Sequence, residues 1–407
     1  MTSYPKDKIN ILLLENVNAE AVQVFRQYGY TNVTHLKGSI SEDELIERIA
    51  DVHILGIRSK TQVTAAVLDA AKKLLGIGCF CIGTNQVDIA TAMKKGVVVF
   101  NAPYSNTRSV AELVIGAAIM LIRRVPEKNR MAHEGKWMKD ASNSHELRGK
   151  TLGIIGYGNI GSQVSVLAES MGMRVIFYDV QNKLPLGNAA GADSLHALLQ
   201  AADIITVHVP ATAATQNMIN EELLQQCKPG AILINYARGE IADINAIKAA
   251  MTTGLLSGVA VDVYADEPSK NGDPFACALQ NIPNVLLTPH IGGSTEEAQA
   301  NIGLDVSNKL VQYIETGATG GSHSVPELAL PVQEGTHRIL HIHRNMPGVL
   351  SAINSLLSDN GINIMAQYLK TNQEIGYVVL DINQEVSKNA AELLSSVNGA
   401  IKVRLLY

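Results

Sequence analysis

Residues 151–161 read T-L-G-I-I-G-Y-G-N-I-G, and the fold of the chain follows from how this stretch is parsed. A short apolar run, 152–155, meets Gly156-x-Gly158-x-x-Gly161 without a break. Beyond it Val164, Leu167, Ala168 and Met171 fall at i, i+3, i+4 and i+7, the spacing of one helix face. A second apolar run, 174–178, ends in Asp179. The order is strand, tight turn, helix, strand, acid. In such a unit the first glycine makes the turn, the second lets backbone approach a pyrophosphate, and the third lets helix and strand pack closely. The helix N-terminus turns unpaired N–H groups toward the phosphates. A carboxylate at Asp179 accepts hydrogen bonds from a ribose diol and repels a 2′-phosphate, which favours NAD over NADP. No arginine follows it closely; the nearest downstream cation is Lys183.

The bulk of the chain fits that unit. Its 407 residues are enough for two or three domains. With 46% hydrophobic and 17% charged residues and a net charge of −5, it has sizeable cores and no basic field for nucleic acid. Cys79, Cys81, Cys227 and Cys277 are scattered and lack metal-site spacing, so reduced thiols in a cytoplasmic protein are expected, with no metal. The N-terminus has no apolar signal core. The longest apolar run, 113–122, is too short for a membrane span and reads as a buried helix.

From residue 8 to 100, short apolar runs alternate with amphipathic segments. Strands are expected at 9–14, 32–35, 53–57, 75–77 and 97–100, with helices at 19–28, 41–49, 64–71 and 88–94. Ser41 and Glu44 form a capping box. Such alternation predicts a parallel sheet covered by helices on both faces, with ligands bound beyond the strand C-termini. Arg58-Ser59-Lys60 lies in one such loop, where Arg58 is either a ligand contact or a solvated cation. Ser105-Asn106 is expected to cap a helix over 108–124. Strands at 151–155, 174–178, 204–208, 231–235, 258–261 and 285–288 complete a dinucleotide fold. A helix over 295–315 follows. Residues 316–324, rich in Gly, Ser and Thr, read as a linker. The pattern from 337 to 407 is βαββαβ, an antiparallel sheet with both helices on one face, and Pro347 is expected in the first turn of its first helix.

Three strand ends of the dinucleotide fold carry chemistry. Asn235-Tyr236-Ala237-Arg238-Gly239 follows one, Asp262 and Glu267-Pro268 the next, and Pro289-His290 the last. Oxidising a secondary alcohol removes a hydride and a proton together. Histidine suits the proton, a carboxylate orients the ring and stabilises the imidazolium, and an arginine fork holds a substrate carboxylate. Each residue also has a plainer reading: Arg238 in an ion pair with Asp243 or Glu240, Glu267 as a turn residue, His290 as a structural histidine.

Here N-Y-A-R-G-E, D-E-P, T-P-H-I-G-G-S-T and the G-Y-G-N-I-G loop with Asp179 resemble the D-isomer-specific 2-hydroxyacid dehydrogenases over residues 9–315. The resemblance implies that Arg238 binds the 2-oxo-carboxylate, His290 is the acid/base and Glu267 orients it. It implies cofactor contacts at Asn159, Ile160 and Asp179, at Tyr236 and Ala237, and at Asp262, Gly292 and Gly293. Gly156, Gly158 and Gly161 belong to the same site. H-I-H-R-N-M-P-G-V-L and G-I-N-I-M-A-Q-Y resemble an ACT regulatory domain. Together these imply an α/β protein with a flavodoxin-like substrate domain split between 1–105 and 294–330. They also imply a Rossmann NAD domain at 106–293 and an ACT-like domain at 331–407.

A single ACT unit without an insert resembles the branch of that family that oxidises 3-phospho-D-glycerate to 3-phosphohydroxypyruvate at the start of L-serine biosynthesis. That branch also implies 2-oxoglutarate reduction as a second activity and a homotetramer joined through nucleotide domains and ACT sheets. Serine is expected between paired ACT units at His343, Asn345 and Asn363, with Gly348 allowing close approach. Arg58, Ser59 and Asn106 match substrate contacts, and Lys37, Lys60 and Lys139 add positive field. A 316–322 hinge is expected to transmit serine binding, and deletion after Leu330 is expected to leave an active, serine-blind enzyme. Two other readings stand beside this one: a different 2-hydroxyacid dehydrogenase, and a non-catalytic NAD sensor.

Overall fold

In the computed structural model, which describes residues 5–268, 272–331 and 335–406, the chain divides into two compact units. One is Met1–Ser105 with Gln299–Tyr407, the other Asn106–Ala298.

The first unit opens with β1 (Ile11–Leu13), α1 (Ala19–Gln27), β2 (Val33–His35), α2 (Glu42–Ile49) and β3 (Ile54–Ile57). It continues through α3 (Ala65–Ala70), β4 (Gly76–Cys79), α4 (Ile89–Lys94) and β5 (Val98–Asn101). Each helix starts where a polar side chain accepts an otherwise unpaired amide: Asn18, Ser41, Thr64 and Asp88. The strands are parallel in the order β2-β1-β3-β4-β5, so the chain reverses direction across the sheet between β1 and β3. Loops beyond that reversal form the natural crevice of such a sheet.

The second unit begins with α5 (Thr107–Ile122) and α6 (Val125–His133). Asn106 occupies the N-cap of α5, but its side chain makes no capping bond, against expectation. No residue of α6 is buried, so it left no apolar stripe to read. Then come β6 (Thr151–Ile155), α7 (Asn159–Ser170), β7 (Arg174–Tyr178), β8 (Ala190–Gly191), α8 (Leu195–Ala201) and β9 (Ile204–Val207). α9 (Glu221–Leu224), β10 (Ala231–Asn235), α10 (Ile244–Thr253), β11 (Leu256–Val261) and β12 (Val285–Leu287) complete the unit. The sheet has seven strands, in the order β12-β11-β10-β9-β6-β7-β8. The unexpected strand, β8, is two residues long and carries no apolar run. Here the reversal falls between β6 and β9, beside the Gly156 loop.

The long helix α11 (Glu296–Thr316) leads to β13 (His337–Arg344), α12 (Val349–Asp359), β14 (Ile364–Thr371), β15 (Ile375–Ile382), α13 (Ser387–Ser395) and β16 (Ala400–Leu406). The last sheet is antiparallel, ordered β14-β15-β13-β16. Pro347 precedes α12 rather than lying in its first turn, because Gly348, in the left-handed region, takes the N-cap. One face of the sheet, with Ile339, Val378 and Leu380, packs against α12 and α13. The opposite face, with Leu340, Ile342, Tyr377 and Val379, shares a core with Val306, Leu310 and Tyr313 of α11 and with Phe100 of β5.

Residues 316–324 are built in, not slack. Thr319 and Ser324 are buried, and the Ser324 hydroxyl bridges β5 by donating to Val97 O (2.7 Å) and accepting from Val99 N (2.9 Å). Tyr377 donates its hydroxyl proton to Gly317 O at 2.6 Å. A Cβ on Gly317 would lie 2.3 Å from Leu340 Cδ2. Arg338 is paired with buried Asp381 at 2.7 and 2.9 Å and also donates to Thr316 O and Pro331 O. Small and hydroxylated residues serve close approach and backbone bonding here, which corrects the hinge expected at 316–322. Deletion after Leu330 would strip Leu340, Ile342, Ile375, Tyr377, Val379 and Leu406 from a shared core, so a serine-blind, active truncation does not follow.

Candidate active site

The glycines of the 156–161 loop differ in what surrounds them. Gly156 has φ +92°, and a Cβ there would lie 2.5 Å from His208 O. A Cβ on Gly161 would lie 2.3 Å from Gly156 O. Both are demanded by the protein's own packing. Gly158 faces open space, where a Cβ would meet nothing within 4 Å. It is also the N-cap of α7 and supplies no side chain to its first amides, which remain open to an anion. Asn159 is exposed, and Ile160 packs its side chain on the core, leaving its amide in that first turn. Asp179, just past β7, accepts from Tyr157 N (2.8 Å) and Gln181 N (2.9 Å), so loop and acid are locked together. An open cradle, a free helix N-terminus and a fixed carboxylate fit a dinucleotide with an unphosphorylated ribose. His208, beyond β9, bonds Thr206 Oγ1 at 2.9 Å, and burial pushes its imidazole down to about 3, so the ring is neutral.

Three further loops are tied to one another. After β10, Asn235 Oδ1 accepts from Ala237 N (3.2 Å) while its Nδ2 donates to Arg238 O (3.0 Å), folding a tight turn that presents Arg238. Arg238 donates to Ala237 O and makes no ion pair among the described residues. Asp243 instead caps α10. Tyr236 and Ala237 are buried, so their cofactor contacts would run through the backbone. A Cβ on Gly239 would lie 2.0 Å from the Tyr264 carbonyl carbon. Only glycine lets the loop after β10 touch the loop after β11.

That second loop holds Asp262 and Glu267. Asp262, 1% exposed, accepts from Thr288 Oγ1 (2.6 Å), Ile291 N (2.9 Å) and Gly292 N (2.7 Å). Tyr264 donates its hydroxyl proton to Val261 O and Thr288 O. Glu267 accepts from Tyr264 N at 3.1 Å and from His290 Nδ1, whose distances to the two carboxylate oxygens are 3.0 and 2.8 Å. His290 itself has φ +53°, a left-handed conformation that costs a non-glycine residue about 1–2 kcal/mol. The bonds from Asp262 to the two following amides hold it there. Its side chain is 51% exposed. A carboxylate on Nδ1 makes that nitrogen the N–H, so Nε2 carries the lone pair. Asn106 lies against the end of this turn: a Cβ on Gly293 would meet its Nδ2, and its buried Oδ1 has no partner.

The first unit holds a separate cluster at its own sheet reversal. Glu15, buried just beyond β1, accepts from Arg58 N (3.2 Å), Lys60 N (3.0 Å) and Thr61 N (2.8 Å). Gln86 Nε2 donates to Arg58 O at 2.6 Å. The turn carrying Arg58, Ser59 and Lys60 is thus clamped from two sides. Exposed Lys37, just past β2, adjoins it through the Glu15 N to Gly38 O bond. Arg58, Lys37 and Lys60 form no ion pair among the described residues. Lys139 is exposed, in the stretch between α6 and β6. Sequence reasoning passed over Glu15, Gln86, Asn235, Gly239 and the bracing role of Asp262. Each acts on backbone distant in sequence or through the absence of a side chain.

In the C-terminal sheet, His343 and Asn345 lie together at one end, where Asn345 Nδ2 donates to Asn372 O at 2.7 Å. Asn363 precedes β14, and the register places β14's start beside Ile382 and His337, at the opposite end. Seven residues of strand, roughly 20 Å, separate the two ends. One chain alone does not bring the three together.

Among the described residues no group of three His, Cys, Asp or Glu side chains is placed to hold a metal ion. Among the same residues no helix is long and apolar enough to cross a membrane.

Residues 115–292 match the family described as "D-isomer specific 2-hydroxyacid dehydrogenase, NAD binding domain", and residues 339–402 match an "AHAS small subunit-like ACT domain". The chain is 51% identical to a D-3-phosphoglycerate dehydrogenase of Escherichia coli over 407 residues, covering 100% of this chain and 99% of that one. Identity is also 51%, over 406 residues, with a D-3-phosphoglycerate dehydrogenase of Dictyostelium discoideum, covering 100% of this chain and 99% of that one. Among solved structures, a D-lactate dehydrogenase from Aquifex aeolicus, complexed with NAD and lactic acid, superposes with a TM-score of 0.65 at 26% identity. It covers 78% of this chain and 100% of its own.

Proposed function

The chain belongs to the D-3-phosphoglycerate dehydrogenases of the D-isomer-specific 2-hydroxyacid dehydrogenase family, and from that premise we propose how its residues divide the reaction. It is an NAD-dependent oxidoreductase. The proposed reaction is oxidation of 3-phospho-D-glycerate to 3-phosphohydroxypyruvate, and the observation that carries the catalytic reading is the His290–Glu267 pair. Arg238 grips the substrate carboxylate with its fork and polarises the C2 oxygen. His290 Nε2 takes the hydroxyl proton, and Glu267 offsets the positive charge that the ring then gains. Gly158, the first turn of α7, Asp179 and the backbone at 236–237 and 292–293 would hold NAD, which when bound would supply the acceptor for the hydride of C2. Asn106, whose side-chain amide lies against Gly293, is a further proposed substrate contact. Lys37, Arg58, Ser59 and Lys60 hold the phosphate, with Lys139 adding positive field. The cations gathered at the first sheet's reversal, with the Glu15 carboxylate already engaged by three backbone amides, support that reading.

The proposed domain division remains 1–105 with 294–330, 106–293, and 331–407. L-Serine is the proposed effector, bound between two copies in a homotetramer. The separation of Asn363 from His343 and Asn345 favours a second chain as the source of the third contact. Reduction of 2-oxoglutarate is proposed as a side activity, and the cytoplasm as the working compartment.

Steady-state reduction of 3-phosphohydroxypyruvate by NADH tests the substrate, with hydroxypyruvate and glyoxylate as comparators. Arg58→Ala should cut kcat/KM for the phosphorylated substrate by about a hundredfold, the worth of one charge-assisted contact, and leave hydroxypyruvate within about twofold. Equal losses on both substrates would move the phosphate away from Arg58.

A further inference from the structure

Two histidines lie side by side in β13, and their hydrogen bonds, with the His341 carbonyl as a further acceptor beside both rings, favour one arrangement of protons. His341 is fully buried, and its Nε2 is 3.1 Å from Leu394 O on α13. A carbonyl only accepts, so His341 Nε2 carries the hydrogen. Desolvation pushes His341 down to about 4 and lowers His343 as well, so both rings are neutral near pH 7. A neutral ring has one N–H, and His341 Nδ1 is therefore a bare acceptor. His343 Nδ1 faces it at 3.4 Å, with the rings tilted by 47°. Two lone pairs cannot face each other favourably, so His343 Nδ1 holds a hydrogen and donates it. The lone pair of His343 is left on Nε2, which makes no hydrogen bond among the described residues. Glycine across the sheet makes room for the ring: a Cβ on Gly376 would lie 2.3 Å from His343 Nε2.

We propose that His341 is the positioning residue of the effector site. By fixing His343 as an Nδ1–H ring with an acceptor at Nε2, it selects a small amino acid whose side chain donates a hydrogen bond. This rests on the reading of His343, Asn345 and Asn363 as that site. L-Serine has such a donor; L-alanine has the same ammonium and carboxylate and lacks it. A free-rotating His343 could turn an N–H to the ligand instead and would tell the two apart poorly. His341 sets the proton without touching the ligand.

The test uses the full-length protein. Ring ¹⁵N spectra of histidine-labelled enzyme at pH 7 should show His341 with hydrogen on Nε2 and His343 with hydrogen on Nδ1. His343 with hydrogen on Nε2, or doubly protonated, would overturn the assignment whether or not serine binds. Calorimetry with L-serine and L-alanine gives the second arm. His341→Gln keeps a donor near Leu394 O but removes the acceptor facing His343. It should shrink the serine-to-alanine affinity ratio about tenfold, the worth of one hydrogen bond. His341→Asn puts an amide oxygen near the former Nδ1 position and should restore the ratio to within about twofold. Basal dehydrogenase activity reports that both variants are folded. An unchanged ratio in a folded His341→Gln protein sinks the selection claim. Wild-type protein that binds neither amino acid removes the effector reading, and the spectra alone then decide the tautomer.

Discussion

His290 stands half exposed on a left-handed turn with a carboxylate behind it, whereas His341 and His343 lie sealed in a strand with a carbonyl and each other for partners. In both places the acceptor on one ring nitrogen decides what the other nitrogen does. The difference lies in what happens when a proton arrives. Glu267 can offset a charge on His290, so that ring is suited to take a proton and give it back. Among the described residues no carboxylate bonds His341, and burial makes a charge there costly, so that pair is suited to recognition and not to carrying protons. The partner of a histidine, more than its presence in a motif, separates acid/base work from recognition.

The sharpest way to break this contrast is to remove each half of the first pair. His290→Ala should lower kcat by about 10³- to 10⁴-fold, with NADH binding by fluorescence titration unchanged, the range expected for a general base. Glu267→Gln should cost less, about a hundredfold, because the ring stays in place without its counter-charge. Equal losses would mean that Glu267 does more than orient and compensate; retained turnover in His290→Ala would take that residue out of the mechanism.

A smaller effect should come from the contact between loops. Gly239→Ala puts a methyl into the Tyr264 backbone, and overpacking of that kind costs about 1–3 kcal/mol. Activity should fall while the melting temperature drops by only a few degrees. A full-rate variant would show that Arg238 and Glu267 are placed independently.

The last effect, on stability alone and dependent on pH, comes from a part-buried base with no carboxylate in its hydrogen bonds. Lys402 on β16 donates to Leu74 O at 2.6 Å, and burial, helped by Arg404 and Lys95, pushes it down to about 7. Its folded value lies below the ordinary lysine value of about 10.4, so the unfolded chain holds the extra proton between the two. Stability therefore rises with pH through that window and is lowest below it. Lys402→Met should melt higher than wild type at pH 6, offset by about 1 kcal/mol for the abandoned Leu74 carbonyl. The margin should shrink, and can reverse, toward pH 10. A margin independent of pH would show that Lys402 is not kept from its charge by burial.

The sequence was most readable where a residue belongs to a local signature. The Gly156 turn, Asp179, Arg238, Glu267 and His290 each sit shortly beyond a strand whose apolar run announces it. Their supports were not readable, because an acid that binds distant amides looks like any other acid. Asp262 reaches Ile291 and Gly292 across about thirty residues, and Glu15 reaches Thr61 across 46. Asn106 was read as a cap because of where it stands, yet its amide turns away from the helix toward Gly293. The stretch 316–324 was misread because flexible linkers and tightly packed crossings draw on the same small residues.

The apolar face that β13 and β15 lay on α11 has a practical meaning for anyone handling this protein. A protease nick near residue 330 would not free a detachable cartridge. It would uncover an oily patch on a 21-residue helix, and the remnant would clump before its kinetics could be measured. Resurfacing Val306, Leu310 and Tyr313 with polar side chains is the first step in any attempt to make the larger fragment on its own.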